Sequence, residues 1–130
     1  MEFFSYESLK ILQSAHKIAH EMRFSDVGTD HLLLAFCEKN SFLKQLNIDP
    51  LDLKFEVYKL IGFGSCENPP SSYTPKTKTV IDNSLDEVSS FKDGLVEPIH
   101  IFISLLKEKN CISNAVFDNL SMDTDILIDL

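Results

Sequence analysis

Apolar residues early in the chain recur at three- and four-residue steps: Ile11, Leu12, Ala15, Ile18, Ala19 and Met22. That period places them on one face of an amphipathic helix running from Ser5 to Met22, with Ser5 as its N-cap. After a connection from Phe24 to Gly28, Thr29 is expected to cap a second, mostly buried helix. Its first turn holds Asp30 against the positive end of the dipole, and Leu32, Leu33, Ala35 and Phe36 follow. Ser41 is expected to cap a short third segment, Phe42 to Leu46. Asp49 and Pro50 then give a cap and a first-turn proline for a fourth helix reaching about Ile61, with Leu51, Leu53, Phe55, Val57, Leu60 and Ile61 as its apolar positions. Gly62 to Ser72, reading GFGSCENPPSS, is dense in turn formers, has no period and reads as a linker. The helical pattern restarts at Thr74-Pro75 with Val80, Ile81, Ser84, Leu85, Val88 and Phe91. It continues behind Pro98 with Ile99, Ile101, Phe102, Leu105 and Leu106, and ends with segments Ala115 to Leu120 and Asp123 to Leu130.

The restart is a repeat. Phe4-Ser5 lies 27 residues before His31, and Tyr73-Thr74 lies 27 before His100, one common offset of 69. Under it Leu12 matches Ile81, Ala15 matches Ser84, Ala19 matches Val88 and Met22 matches Phe91. Further on the offset becomes 74, pairing Leu46-Asn47-Ile48-Asp49 with Leu120-Ser121-Met122-Asp123. The expected architecture is therefore all-α, with about eight helices in two tandem four-helix repeats. A unit that small buries its apolar face poorly alone, so the repeats should pack together with pseudo-two-fold symmetry. The expected division is one domain over 1–130, with repeat one at 4–61, a linker at 62–72 and repeat two at 73–130.

Composition narrows the function classes. With 130 residues, 44% hydrophobic and ten phenylalanines, the chain suits one aromatic-rich core, and no run approaches a membrane span. A net charge of −8 repels phosphate backbones and anionic lipids, so neither nucleic acid nor membrane is an expected partner. Cys37, Cys66 and Cys111 are odd in number, far apart and without a CxxC pair, which fits reduced thiols rather than a disulfide framework or zinc site. The N-terminus lacks the layout of a secretory signal or transit peptide. The expected location is cytoplasm or, with any presequence already absent, plastid stroma.

A repeat that opens with an aromatic and a hydroxyl residue and then shows GTDHLLL, at Gly28 to Leu34, resembles the N-terminal double-repeat domain of Clp/Hsp100 unfoldases, the ClpC type in particular. EPIHIF, Glu97 to Phe102, reads as an eroded second copy, and YTPKTKTVIDNSLDEV, Tyr73 to Val88, as the second repeat's start. The resemblance implies a helical docking platform for adaptors or substrates of an ATP-driven unfoldase and its peptidase. No GxxxxGK[ST] phosphate loop occurs in these residues, and the chain is expected to stand alone without an AAA+ module, like ClpT-like accessory subunits of plastid Clp proteases. In ClpC-type domains the signature acid and the hydroxyl that opens the first helix form a pocket for phosphorylated arginine, the carboxylate taking the guanidinium and helix N-terminal amides the phosphate. By position those residues here are Ser5, Asp30, Thr74 and Lys78. Ile99 stands where the second acid would be and cannot accept a guanidinium hydrogen bond, so one of two pockets should be lost. The bland alternative is that Asp30 merely serves its helix start.

Other constellations read as structural. With Ala15 at the centre of the buried face, His16 and His20 fall about 100° and about 140° away, a solvent-edge pair without a third metal ligand. His31 and His100, at equivalent positions, are expected to pack and hydrogen-bond near a helix start. Cys37 sits on the buried second helix and Cys66 in the linker, neither with an activating basic neighbour, so thiol catalysis is not expected. Asp123, Asp125 and Asp129 read as caps and a solvated acidic face. Phe3, Phe4 and Tyr73 either line a docking groove between repeats or anchor the first helices. The leading expectation is a non-catalytic, cofactor-free interaction module of a Clp system, binding unfoldase, peptidase, adaptor or substrate; a degron receptor and an unrelated helical scaffold are the alternatives.

Overall fold

The computed structural model describes residues 3–88, 94–108 and 111–128; Phe91, Asp129 and Leu130, assigned above to helical positions, lie outside them. Among the described residues the chain forms eight helices. The first half holds α1 (Tyr6–Glu21), α2 (Thr29–Cys37), α3 (Asn40–Gln45) and α4 (Pro50–Leu60). The second holds α5 (Pro75–Glu87), α6 (Pro98–Lys107), α7 (Ile112–Asn119) and α8 (Thr124–Ile128). Two residue pairs, β1 (Asp26–Val27) and β2 (Ser72–Tyr73), form a minimal parallel sheet that the helical periodicity did not announce.

The sheet shows how the halves fit. Val27 pairs with Tyr73, and an isolated parallel bridge joins Phe4 to Val96. Each partner is 69 residues from its counterpart, so the opening of one half pairs with the segment that precedes the second helix of the other. Backbone hydrogen bonds repeat the relation: Ser5 N–H donates to Val96 O at 3.0 Å and Thr74 N–H to Val27 O at 2.9 Å. The caps repeat it too. Ser5 Oγ accepts from Ser8 N–H at 3.1 Å, and Thr74 Oγ1 from Thr77 N–H at 3.3 Å. At the later offset of 74, Asn47 and Ser121 both take a left-handed turn, with φ of 60° and 57°, and Asp49 and Asp123 each accept a backbone N–H two residues on.

Packing follows from small residues at the crossings. α1 lies along α2 and α5 along α6, where Ala15, Ala35, Ser84 and Ser104 are all buried and let the backbones approach. The serine hydroxyls stay satisfied, Ser104 donating to Val80 O and Ser84 to Ile81 O. The core centres on Phe102, whose ring meets Phe36 at 5.1 Å, Phe42 at 5.5 Å and Phe117 at 6.2 Å in edge-on geometry. Phe4 is buried and Tyr73 half-buried against the core, so both anchor the first helices, while Phe3 is exposed.

Four local readings are corrected. The N-cap of α2 is Gly28, not Thr29, which is drawn into the helix and buried, because His31 supplies the cap from the first turn. α3 begins at Asn40 with Lys39 as its N-cap, rather than behind Ser41. α7 begins three residues before Ala115, at Ile112, with Cys111 as its N-cap. On α4 only Leu53 and Val57 of the six apolar positions are buried, since α4 rests on α2 and α7 along one narrow side.

Replacing Phe102 with Ala, which empties the centre of four rings, should lower the unfolding free energy by about 3–5 kcal/mol in denaturant titration. Phe63→Ala, at a side chain 76% exposed, should change it by less than about 0.5 kcal/mol.

Candidate functional site

The start of α2 is built by an exchange between backbone and side chains. Gly28 N–H donates to His31 Nδ1 at 2.9 Å, and His31 N–H donates to Asp30 Oδ1 at 3.0 Å. Because Nδ1 accepts, the neutral ring carries its proton on Nε2, and that nitrogen is buried without a hydrogen-bond partner among the described residues; the ring centre lies 4.7 Å from that of Phe24. Burial pushes the His31 pKa below its ordinary 6.5, with the Asp30 carboxylate partly opposing. The 3.5 Å approach of Nδ1 to Asp30 Oδ1 is accordingly a contact of a neutral ring and not an ion pair. α6 starts the same way, Glu97 N–H donating to His100 Nδ1 at 2.8 Å. Both histidines thus hold the helix-start role expected of them.

Glycine at position 28 is favoured by space and not by torsion: it leaves the Asp30 carboxylate free to fold back onto the helix start. Its φ is −97°, but a Cβ there would collide with Asp30 Oδ1. The second half has Glu97 and Ile99 at the matching positions. Without a carboxylate folded back at Ile99, a side chain at 97 meets no such obstacle. Gly28 thus accommodates the folded-back Asp30 carboxylate, and the second half has neither residue.

Asp30, 20% exposed at its side chain, opens onto a concavity of about 760 Å³ that it shares with Thr74, Lys76 and Leu60, and with Ile112 and Ala115 of α7. The Val27–Tyr73 pairing brings Asp30 and Thr74, 44 residues apart, to one rim. Ser5 is not on it: it occupies the two-fold-related position, buried, with its hydroxyl held by Ser8 Oγ at 3.1 Å. Lys78 is exposed on α5 and does not line the concavity; Lys76, two residues nearer the helix start, does. Its position in the first turn beside the Thr74 cap was the signal that could have selected it. The two-fold counterpart is a hollow of about 500 Å³ beside Glu97 and Pro98, with Glu38 and Ser41 where the first has Ile112 and Ala115. Glu7 completes its acidic rim, with Lys39 Nζ at 3.7 Å. The counterpart thus repels an anion, whereas the Asp30 concavity is lined by one carboxylate and one lysine.

The thiols and remaining histidines are placed as follows. Cys37 is buried, which pushes its pKa up to about 12, with Lys54 partly offsetting and Glu38 adding to the rise. Cys66 is half-buried in the segment after α4, tied to the Arg23 carbonyl through its N–H at 2.9 Å. His16 packs edge-on against Tyr73, ring centres 4.9 Å apart, and is half-buried rather than a solvent-edge residue; His20 is exposed. Among the described residues no three His, Cys, Asp or Glu side chains gather as a metal-binding group, and no helix is long and apolar enough to cross a membrane.

Two tandem helical repeats, joined crosswise and sharing a concavity at their seam, define a double-repeat helical domain. The Clp repeat (R) N-terminal domain family matches residues 4–120, and the chain belongs to that family. It is 32% identical over 119 residues to the ATP-dependent Clp protease ATP-binding subunit ClpC of Staphylococcus aureus (strain NCTC 8325 / PS 47), a match covering 88% of this chain and 14% of that protein. The ClpC of Staphylococcus epidermidis is also 32% identical, with 15% of its length covered. The chain thus spans a small part of these relatives. The Hsp104 N-terminal domain from Candida albicans superposes with a TM-score of 0.81 at 21% identity, covering 97% of this chain and 87% of that one. The N-terminal domain of ClpD from Arabidopsis thaliana gives 0.79 at 18% identity, covering 98% and 91%. Clp N-terminal domains of Clp/Hsp100 chaperones are in general protein-interaction modules.

Two outcomes test the site chemistry. His31 binds a proton less readily when folded, so its contribution to stability is complete above about pH 6.5 and is lost as pH falls below that value. Denaturant titrations should show this decline, and His31→Gln, whose amide oxygen can still accept the Gly28 N–H, should remove that share of it. With a thiol-specific reagent near pH 8, native protein should label at Cys66 and stay unreactive at Cys37 until unfolded.

Proposed function

We infer that this chain is a non-catalytic interaction module of a Clp protease or unfoldase system, which docks an adaptor or substrate or acts as an accessory subunit beside the unfoldase or peptidase. The observation that carries this reading is membership of the Clp repeat family across residues 4–120. The chemistry of the chain agrees with it. Nδ1 of His31 and of His100 accepts a helix-start N–H, and the Cys37 thiol is held protonated by burial, so these groups serve the scaffold. The reading treats residues 1–130 as one domain, with repeat one at 4–61, a linker at 62–72 and repeat two at 73–130. It places the protein in cytoplasm or plastid stroma and calls for no cofactor. Pull-down from native extract with the tagged chain, read by mass spectrometry, should recover Clp subunits or their adaptors among specific partners. Their absence from a lysate that contains them would refute the reading.

A second reading, a receptor for a phosphoarginine-type mark, is favoured by one observation: Asp30 and Thr74 face the same concavity, with Lys76 on its wall. A carboxylate there can take a guanidinium while the α5 start and an ammonium take phosphate. Of the four residues expected to form such a pocket, Asp30 and Thr74 line this concavity, whereas Ser5 and Lys78 do not. Calorimetry with phosphoarginine should show binding that Asp30→Ala abolishes; no heat at millimolar ligand would end this reading.

A further inference from the structure

Helix α4 buries Pro50, Leu53 and Val57 and turns Leu51, Phe55 and Tyr58 outward, at 74%, 65% and 43% exposure. At the α-helical turn these three lie within about 60° of one another on the outer face, with Asp52 and Lys59 along one border of the row. Lys59 Nζ sits 5.3 Å from the centre of the Phe55 ring, and Lys54 Nζ 5.9 Å from that of Tyr58. The repeat itself does not need apolar residues here. At the offset of 74, Leu51 and Phe55 correspond to Asp125 and Asp129.

We propose that this face pairs with α4 of a second copy of the chain, antiparallel, about a two-fold axis at Phe55. The order of residues along α4 is self-complementary about that point. Leu51 lies four before Phe55 and Tyr58 three after it; Asp52 lies three before and Lys59 four after. An antiparallel partner therefore sets Phe55 against its own copy, Leu51 against Tyr58 on both sides, and Asp52 against Lys59 along the border, twice. Charge also selects this face. α4 carries Asp52, Glu56, Lys54 and Lys59, no net charge, on a chain of −8, so two α4 helices meet without like net charge on either. The isologous contact is closed, so it joins two copies and does not extend into a chain of them. The row is smaller than the ~800 Å² per partner of a standard interface, so the association is weak and reversible.

Analytical ultracentrifugation of the 130-residue chain from about 10 µM to about 1 mM tests the pairing. The weight-average mass should rise with concentration toward twice that of one chain. Phe55→Asp, at an exposed position, should abolish the rise while leaving the thermal transition in place. Asp52→Lys turns two attractions into repulsions and should weaken association roughly tenfold, and Asp52→Lys combined with Lys59→Asp should restore it. A wild-type mass that stays at one chain throughout overturns the proposal and leaves the row to a partner of another kind. Association that survives Phe55→Asp, or a charge exchange that restores nothing, overturns it equally.

Discussion

Everything in this fold depends on two short crosswise backbone pairings. A buried N–H or C=O without a partner costs about as much as a lost hydrogen bond, so the extended residues before each first helix must find one. They find it in the other half: Ser5 N–H at Val96 O, and Thr74 N–H at Val27 O. Ser8 Oγ adds a side-chain bond to Val96 O at 2.6 Å. Each half thus satisfies the opening of the other. The same exchange sets the functional geography, because it brings the cap of α5 against the start of α2 and so forms the concavity at the seam.

Symmetry extends through backbone, caps and turns and stops at the surface. The histidine caps, hydroxyl caps and left-handed turns recur at fixed offsets, since each solves a backbone problem that both halves share. The side chains above them do not recur. Gly28 with Asp30 faces Glu97 with Ile99, a neutral-balanced concavity faces an acidic hollow, and the apolar row of α4 faces acids in the second half. Differences of this kind are free to vary without unfolding the scaffold.

His31 shows how structural and functional demands meet in one residue. Its ring holds the α2 start by accepting the Gly28 N–H at Nδ1, while its Nε2 is buried without a hydrogen-bond partner among the described residues, which costs part of that gain. Asp30 Oδ1 answers by accepting the His31 N–H. Asp30 thus does two things at once: one oxygen serves the backbone, and the side chain still reaches the concavity.

The amino-acid order alone determined what short-range physics decides. Helical faces follow from apolar period, the caps at Ser5, Asp49 and Thr74 from a side-chain oxygen within reach of the next N–H, and the double repeat from one offset carried by both. The all-α class, the eight helices and the histidine roles were legible on those grounds. Tertiary structure decided the rest, because each remaining item turns on a partner distant in sequence. Thr29 loses its cap role to the His31 ring of the same first turn, and Lys76 rather than Lys78 lines the concavity because α5 meets the seam at its first turn. Ser5 and Asp30, both parts of one motif, end on opposite sides of the two-fold. Leu51, Phe55 and Leu60 look like core by period yet stay outside, since α4 has neighbours on one side only. Local signals say what a residue can do; which neighbour arrives to use it is settled by how the two repeats close on each other.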